Sequence, residues 1–481
     1  MRSGSSGRSR PNEAITAMRG PLAWWIVIPL LAAWLLLRRP VEDFDIFWQV
    51  RLGDLMIDSG AVLRREPFAS THLGEPLVPL SAAAQVLLAA ARRLGGWAAV
   101  QWIDAAAWAG GFFLAGLAAW RRGAEAPGLL VALALGLAMA WPFSGVRPQS
   151  FAVLCFGALL VLRAGVPTGS AARTLLVGGA LFVIWQNLHP SVSLAVIWCG
   201  ARAGMGLARK LAGRAPEWPL LDAALAGLAA LAMFLTPAGF DVLAVSAANA
   251  RMSIAMGATE WLALTDPANR PFMPVLLVLN ACVAALLWLR RKSIGAEDMA
   301  GAAALLLLAL GSGRFLLFWA LAAVPLMAGQ GAAGRQPARG AALLMAAGLL
   351  AVGGAARVAG WPGVTPLLPG ASLALLEKAG GTGPIYASFG YGGIVSDVVR
   401  PEQGVVFDGR YYRFSAEEWA LVRASRAGTV SAQGLAARYR PSAWLLDPAA
   451  DAALVADLRR HPEAWREAGG DGAARVFLPA N

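Results

Sequence analysis

The chain has 481 residues, of which 58% are hydrophobic and 15% charged, with a mean hydropathy of +0.57; soluble domains run at roughly 45–50% apolar and 25% charged. A soluble globular protein is therefore excluded, and a polytopic membrane protein is indicated. The 41 Lys+Arg against 29 Asp+Glu give a formal charge of +12, but the arginines sit in short loops between apolar runs, with no basic stripe of interleaved aromatics, so no nucleic-acid partner is expected.

The first twenty residues are polar and carry Arg2, Arg8, Arg10 and Arg19. The apolar run after them ends in Arg38 and Arg39 without a small-residue cleavage site, which reads as an uncleaved first span and not a signal peptide. Apolar runs follow in order at 22–37, 97–120, 128–142, 148–162, 174–188, 191–208, 219–236, 272–289, 298–311, 314–328 and 340–357. They predict about eleven transmembrane helices. Several are shorter than the roughly 17–25 residues of a full crossing, so runs joined at Pro148, Pro190 and Gly313 are expected to be tilted or broken. With the N-terminus inside, Arg121, Arg122, Arg163, Arg173, Arg202, Arg209, Lys210, Arg214, Arg290, Arg291, Lys292, Arg335 and Arg339 all fall on the cytoplasmic side. Counting 80–91 as a span inverts that pattern, so it is read as a helix along the outer interface between Pro79 and Arg92. Cys155, Cys199 and Cys282 lie inside apolar runs and form no extracytoplasmic disulfide framework.

The expected layout is a cytoplasmic tail (1–21), a transmembrane domain (22–357) with a large first outer loop (38–96), a second outer loop near 237–271, and an extracytoplasmic domain (358–481). In the last segment strand-length runs (PIYASF, GVVFDG, SAWLLD, ARVFLP) alternate with helical stretches (SAEEWALVRASR, DAALVADLRRH), the pattern of a small α/β domain.

Candidate chemistry concentrates on the outer side. The first loop supplies Asp43, Asp45, Asp54, Asp58 and Glu66 among Phe44, Phe47 and Trp48. Asp54 and Asp58 share a helix face and suit an amphipathic interfacial helix whose charges meet water. Asp43 and Asp45 precede that helix, two residues apart, where both can point into one cavity, to bind a metal ion or to take a proton from an attacking hydroxyl. Arg147, His189 and Arg314 each occupy a short outer hairpin, where the charge rule disfavours arginine. Two guanidinium groups and an imidazole beside carboxylates suit a lipid-linked phosphate; the simpler reading is snorkelling to headgroups or helix capping. Glu260, in the second loop, is either a second acidic group or a solvated charge. The tail's SFGYGGIVSD and FDGRYYRF read as tight turns after strands rather than phosphate loops.

The ordered set of motifs resembles a family of bacterial polytopic inner-membrane proteins related to GT-C type glycosyltransferases. It consists of Asp43, Asp45 and Trp48 with Gly53; Glu66, Pro67 and Phe68 through Gly74; Arg147-Pro148-Gln149; Trp185 through His189; Pro237 and Gly239; Glu260-Trp261; Arg314-Phe315; Tyr391 through Gly393; and Asp408 through Arg410. The set spans most of the chain. The resemblance implies a helical GT-C-like membrane core in which a first-loop carboxylate sits near a polyprenyl-phosphate-linked sugar donor, with transfer to an unknown glycan, lipid or protein acceptor on the periplasmic face of the inner membrane. On this reading Asp45 is the base or acceptor-orienting group, supported by Asp43. Arg147, Arg314 and His189 hold the donor phosphate, and Glu66 and Glu260 are additional acidic groups. No cofactor is singled out, and a divalent metal ion stays open. The sequence departs from the family at Gln49, where His is usual, at Glu66, where Asp is usual, and at Leu80 through Ala83, where a Trp-rich acidic stretch is usual. The alternative is a lipid-linked saccharide transporter or a non-catalytic component of envelope polysaccharide assembly. A transporter should carry ionisable groups near mid-membrane; the nearly uncharged spans favour an enzyme at the outer face.

Overall fold

The computed structural model describes residues 25–164, 171–214, 219–269, 271, 273–329, 339–365, 368–398 and 403–480. The expected cytoplasmic tail, residues 22–24 of the first apolar run, and Arg335 lie outside the described residues.

Each of the expected apolar runs falls on a helix. In chain order these are α1 (Trp25–Leu37), then, after the amphipathic α2 (Asp45–Ser59), α3 (Ala82–Arg121), α4 (Ala126–Ala140), α5 (Gln149–Arg163), α6 (Ala171–Leu188), α7 (Ser193–Leu211) and α8 (Leu220–Ala232). A helix within the second loop, α9 (Asp241–Ala255), precedes α10 (Met273–Arg290), α11 (Ala296–Gly311), α12 (Leu316–Met327) and α13 (Arg339–Val358). Among the described residues, five helical segments are long and apolar enough to cross a membrane: 82–121, 126–143, 171–188, 273–290 and 340–358. Four more, α1, α5, α8 and the segment 313–327, are apolar but short. The expected count of about eleven crossings is thus not reached on length and composition. The shortfall has a physical cause at α7, which carries Arg202, Arg209 and Lys210, and at α11, which has 16 residues.

Segment 80–91 does not enter the bundle as a separate span. It forms the first part of α3, which breaks at Gly95 and Gly96, the latter at φ 64°, before continuing as the long apolar helix. A left-handed residue inside a helix needs glycine, because any Cβ would crowd the following carbonyl. The kink separates two packing duties. The first part packs against α2 in a core with Phe47, Val50 and Leu88; the second joins the bundle core through Trp108, Phe112 and Ala115.

Asp54 corrects the water-facing expectation. It is buried and paired with Arg92 and with Arg93 at 2.7 Å, while Arg92 also binds Asp397 at 2.7 Å; only Asp58 is exposed. A further set of charges joins Arg202, Asp222 and Asp298, inside the expected spans, to Arg122 and Arg163, just beyond the ends of theirs. Asp222 accepts from Arg163 at 2.8 Å and Arg202 at 3.3 Å, and Asp298 binds Arg122 at 2.6 Å and also Arg202. Here each buried charge is paired, as burial in a low dielectric requires.

The chain from 370 onward builds α14 (Gly370–Ala379), β1 (Ile385–Ala387), α15 (Phe389–Val398), α16 (Ala416–Arg426), α17 (Ala432–Tyr439), β2 (Ala443–Leu446), α18 (Ala452–Arg459), β3 (Trp465–Gly470) and β4 (Arg475–Pro479). The sheet order is β1-β2-β4-β3, with β1 parallel to β2 and the other pairs antiparallel. Three of the four expected strands are present. The fourth, GVVFDG, makes only isolated bridges from Val405 to Ala69 and Ile385, and β3 was not expected. The glycine-rich SFGYGGIVSD is not a turn after a strand but helix α15. Its Gly393 faces the Phe44 carbonyl and Trp48, so that a side chain there would strike the N-terminus of α2.

First loop and tail are locked together. The Arg410 guanidinium donates to both oxygens of Glu66 at 2.7 Å and to Asp408 at 2.5–3.1 Å, and His72 bonds Glu418 at 3.0 Å. The Arg410, Glu66 and Asp408 side chains are fully buried. This cluster fixes the Asp408-Gly409-Arg410 turn over the start of α2.

Candidate active site

The start of α2 is shaped by two aspartates with different tasks. Asp43 accepts the Asp45 backbone N–H at 2.9 Å, in the manner of a capping side chain, and Asp45 stands in the first turn, where the helix dipole favours a negative group. Trp48, one turn on, donates its indole N–H to Asp45 Oδ1 at 3.1 Å. Against the other side lies Gly409, where a Cβ would overlap the Asp45 carboxylate. The turn therefore needs glycine to let the carboxylate sit between α2 and the tail.

Two adjoining chambers, of about 460 Å³ and 350 Å³, meet at this point. They share Asp45, Arg147, Gln149, Glu260, Arg314, Gly409 and Tyr411, which form the partition between them. Four of the six sequence-derived charged candidates thus stand together, with Asp43 at the wall of the first chamber. His189 lines the second chamber only. Glu66 lines neither: its Oε1 also accepts the backbone N–H groups of Phe68 and Ala69 at 2.8 and 2.9 Å. Burial works against its charge, but Arg410 and these bonds hold its pKa below the ordinary carboxylate value.

The two arginines differ in how their charge is spent. Arg147 is ion-paired with Asp43, and its Nη1 donates to both Glu260 oxygens at 3.0 and 2.9 Å. The Arg314 guanidinium lies 3.9 Å from the centre of the Trp261 ring, and among the described residues no carboxylate forms an ion pair with it. Stacking orients the guanidinium plane while leaving its N–H groups for an anion. Burial works against the charge of Glu260, but Arg147 and then Arg314 hold its pKa below the usual value.

Asp45 is perturbed in the opposite direction. Burial pushes its pKa up to about 7; the Trp48 bond opposes this, and the charges of Glu260 and Asp408 add to it. A carboxyl poised near neutrality can take a proton at physiological pH and is matched to general-base work. His189 is pushed down to about 3, first by burial and then by Arg314, and its Nδ1 pairs with the Ser191 hydroxyl at 2.8 Å. It is a neutral hydrogen-bonding group in the wall rather than a third cation.

Asp104, Arg39 and Tyr411 were not singled out from the sequence. Asp104 lies about two turns after the kink in α3, lines the first chamber, and accepts the Arg147 backbone N–H at 3.3 Å. A carboxylate inside an apolar run was the available signal. Tyr411 carried none, because only the fold of the tail brings it over α2. Among the described residues no group of three or more His, Cys, Asp or Glu side chains could hold a metal ion. Asp43 and Glu260 are both bound to Arg147, so the donor set does not fit one.

Site and bundle together define a polytopic helical protein with a GT-C-like fold and a charged, two-chambered cavity beneath a small α/β unit. Two structures of the oligosaccharyltransferase from the archaeon Archaeoglobus fulgidus share this fold. The apo form matches with a TM-score of 0.52 over 88% of this chain and 70% of its own, and the form tethered to an acceptor peptide containing the NVT sequon with 0.53 over 92% and 72%, both at 12% identity. No protein-family model and no curated protein sequence matches the chain.

Proposed function

We propose that the protein is a membrane glycosyltransferase that moves a sugar from a polyprenyl-phosphate-linked donor to an acceptor at the periplasmic face of a bacterial inner membrane, with its C-terminal unit on that side. The observation that carries the reading is the placement of Asp45, with its pKa near 7, and the ion-pair-free Arg314 in one partition. Direct displacement at an anomeric carbon needs both: a base for the incoming hydroxyl, and a fixed positive charge for the phosphate that departs.

The roles divide as follows. Asp45 takes the acceptor proton. Arg314 holds the donor phosphate and stabilises the charge that grows on it, through planar donors suited to phosphate oxygens. Arg147, bound to Asp43 and Glu260, positions those two carboxylates and keeps the partition rigid, so its share in phosphate binding is secondary. The GT-C-like fold supports this reading, and the coarse picture of a multi-pass membrane protein agrees with it.

The test is transfer by purified protein in proteoliposomes from a polyprenyl-phosphate-linked sugar. Wild type should release polyprenyl phosphate, and Asp45→Asn should not, although it inserts and folds. Turnover by Asp45→Asn at a rate near wild type removes the proposed base and with it the mechanism.

A further inference from the structure

Beyond their shared partition the two chambers are lined differently. The first continues onto apolar bundle residues, among them Leu36, Phe143, Leu264 and Leu276, and carries further charges at Arg39, Glu42 and Asp104. The second continues onto Gln49, Gln85, Ser81, Ser246, Asn249 and Ser253. Its charged wall residue outside the partition is Arg410, whose guanidinium is already bound to Glu66 and Asp408. His189 in the same wall is held neutral.

Two details show that this neutral polar wall is built to bind. Gln85 Nε2 donates to Gln49 Oε1 at 2.7 Å, which sets both amides in fixed orientation at the chamber edge. Ser253 lines the chamber, and its hydroxyl is wholly buried and has no hydrogen-bond partner among the described residues. A buried hydroxyl without a partner costs about 1–3 kcal/mol, so a ligand that bonds it recovers that loss. Trp48, Trp261 and Tyr412 line the same chamber.

Neutral donors and acceptors together with aromatic side chains complement a pyranose, which presents hydroxyls at its rim and C–H groups on its faces. An acidic ligand finds no uncommitted cation here outside the partition. A peptide backbone finds no strand edge to pair with, because none of the described lining residues belongs to a strand. The volume of about 350 Å³ falls within the roughly 300–1,000 Å³ of small-ligand sites.

We infer that the second chamber binds a neutral saccharide as the acceptor, with one of its hydroxyls directed at Asp45. This rests on the donor assignment made above for Arg314. The saccharide oxygen forms a bond to the anomeric carbon of the donor as that carbon's bond to the phosphate oxygen breaks. The hydroxyl proton passes to Asp45, and the electron pair departs on the polyprenyl phosphate beside Arg314; no atom is oxidised or reduced.

Saturation-transfer NMR on the full chain in lipid nanodiscs tests it, with a panel of neutral pyranosyl disaccharides, the same disaccharides bearing a hexuronic acid, and an Asn-Val-Thr peptide as probes. The neutral disaccharides should bind, also in the presence of saturating polyprenyl phosphate. Asn249→Ala and Ser253→Ala should each weaken them about tenfold, in line with a lost hydrogen bond, and leave polyprenyl phosphate binding unchanged. A preference for the hexuronates or the peptide overturns the inference, as does disaccharide binding indifferent to both variants. If instead the disaccharide results hold but polyprenyl phosphate binds equally well to Arg314→Ala, the donor assignment fails and the saccharide chamber stands.

Discussion

Replacing Trp48 with Phe isolates the one hydrogen bond that stabilises the ionised form of Asp45. The indole N–H donates at 3.1 Å to a half-buried carboxylate, and phenylalanine keeps most of the ring packing against α15 while deleting the donor. A hydrogen bond to a charged group contributes about 1.5–3 kcal/mol. At this length and partial exposure the lower end applies, and since one pKa unit corresponds to about 1.4 kcal/mol, the Asp45 pKa should rise by about one unit from its value of about 7. The ionised fraction at pH 7 then drops from about half to about a tenth. Transfer at neutral pH should fall about fivefold, while the alkaline plateau stays near wild type. The assay is a pH–rate profile for transfer from a polyprenyl-phosphate-linked sugar in proteoliposomes, run from mildly acid to alkaline pH. An acid limb that does not move refutes Asp45 as the titrating base, and a lost alkaline plateau shows that Trp48 acts on something other than that equilibrium.

Asp45→Asn should abolish transfer and stabilise the fold above neutral pH. A carboxyl whose folded pKa is raised contributes stability in full below its unfolded value, and that contribution is lost as pH rises through about 7. The full shift corresponds to about 4 kcal/mol, which water in the cavity reduces to about 1–2 kcal/mol. Thermal unfolding in detergent should show the variant's advantage at alkaline pH and none well below the ordinary carboxylate range. Arg314→Ala should abolish polyprenyl phosphate binding and Arg314→Lys weaken it partially, measured by direct titration; equal affinity in wild type and the Ala variant removes the anion site. Glu66→Gln should destabilise by about 3–5 kcal/mol, because it leaves Arg410 incompletely paired in a buried cluster. A melting temperature within a degree of wild type would mean that the cluster does not hold loop and tail together. A single cysteine at the exposed Glu463, in a background lacking native cysteines, should react with an impermeant maleimide from the periplasmic side; labelling confined to inverted vesicles reverses the orientation.

The amino-acid sequence by itself determined what composition and periodicity control. Runs of apolar residues with no water to satisfy their backbone must form helices, and each of those runs is helical. Loop charges set segment 80–91 apart from the spans in the sequence reading, and in the structure a break at Gly95–Gly96 separates it from the long apolar helix that follows. Asp43, Asp45, Arg147, Glu260 and Arg314 were legible as candidates because polar residues at the ends of spans are costly without a task. Tertiary structure alone decided how their charges are shared. Nothing local in sequence says that Arg147 is bound by Asp43 and Glu260 while Arg314 stacks on Trp261, since those partners come from the first and second outer loops. For the same reason Glu66 looked like a site residue and is instead buried against Arg410, 344 positions away. The run Asp408-Gly409-Arg410 read as no more than a tight turn, yet it closes over Asp45. Long-range packing sets the dielectric and the neighbours of each carboxyl, and these two quantities fix whether a carboxyl is a base near neutrality or a permanently ionised strut.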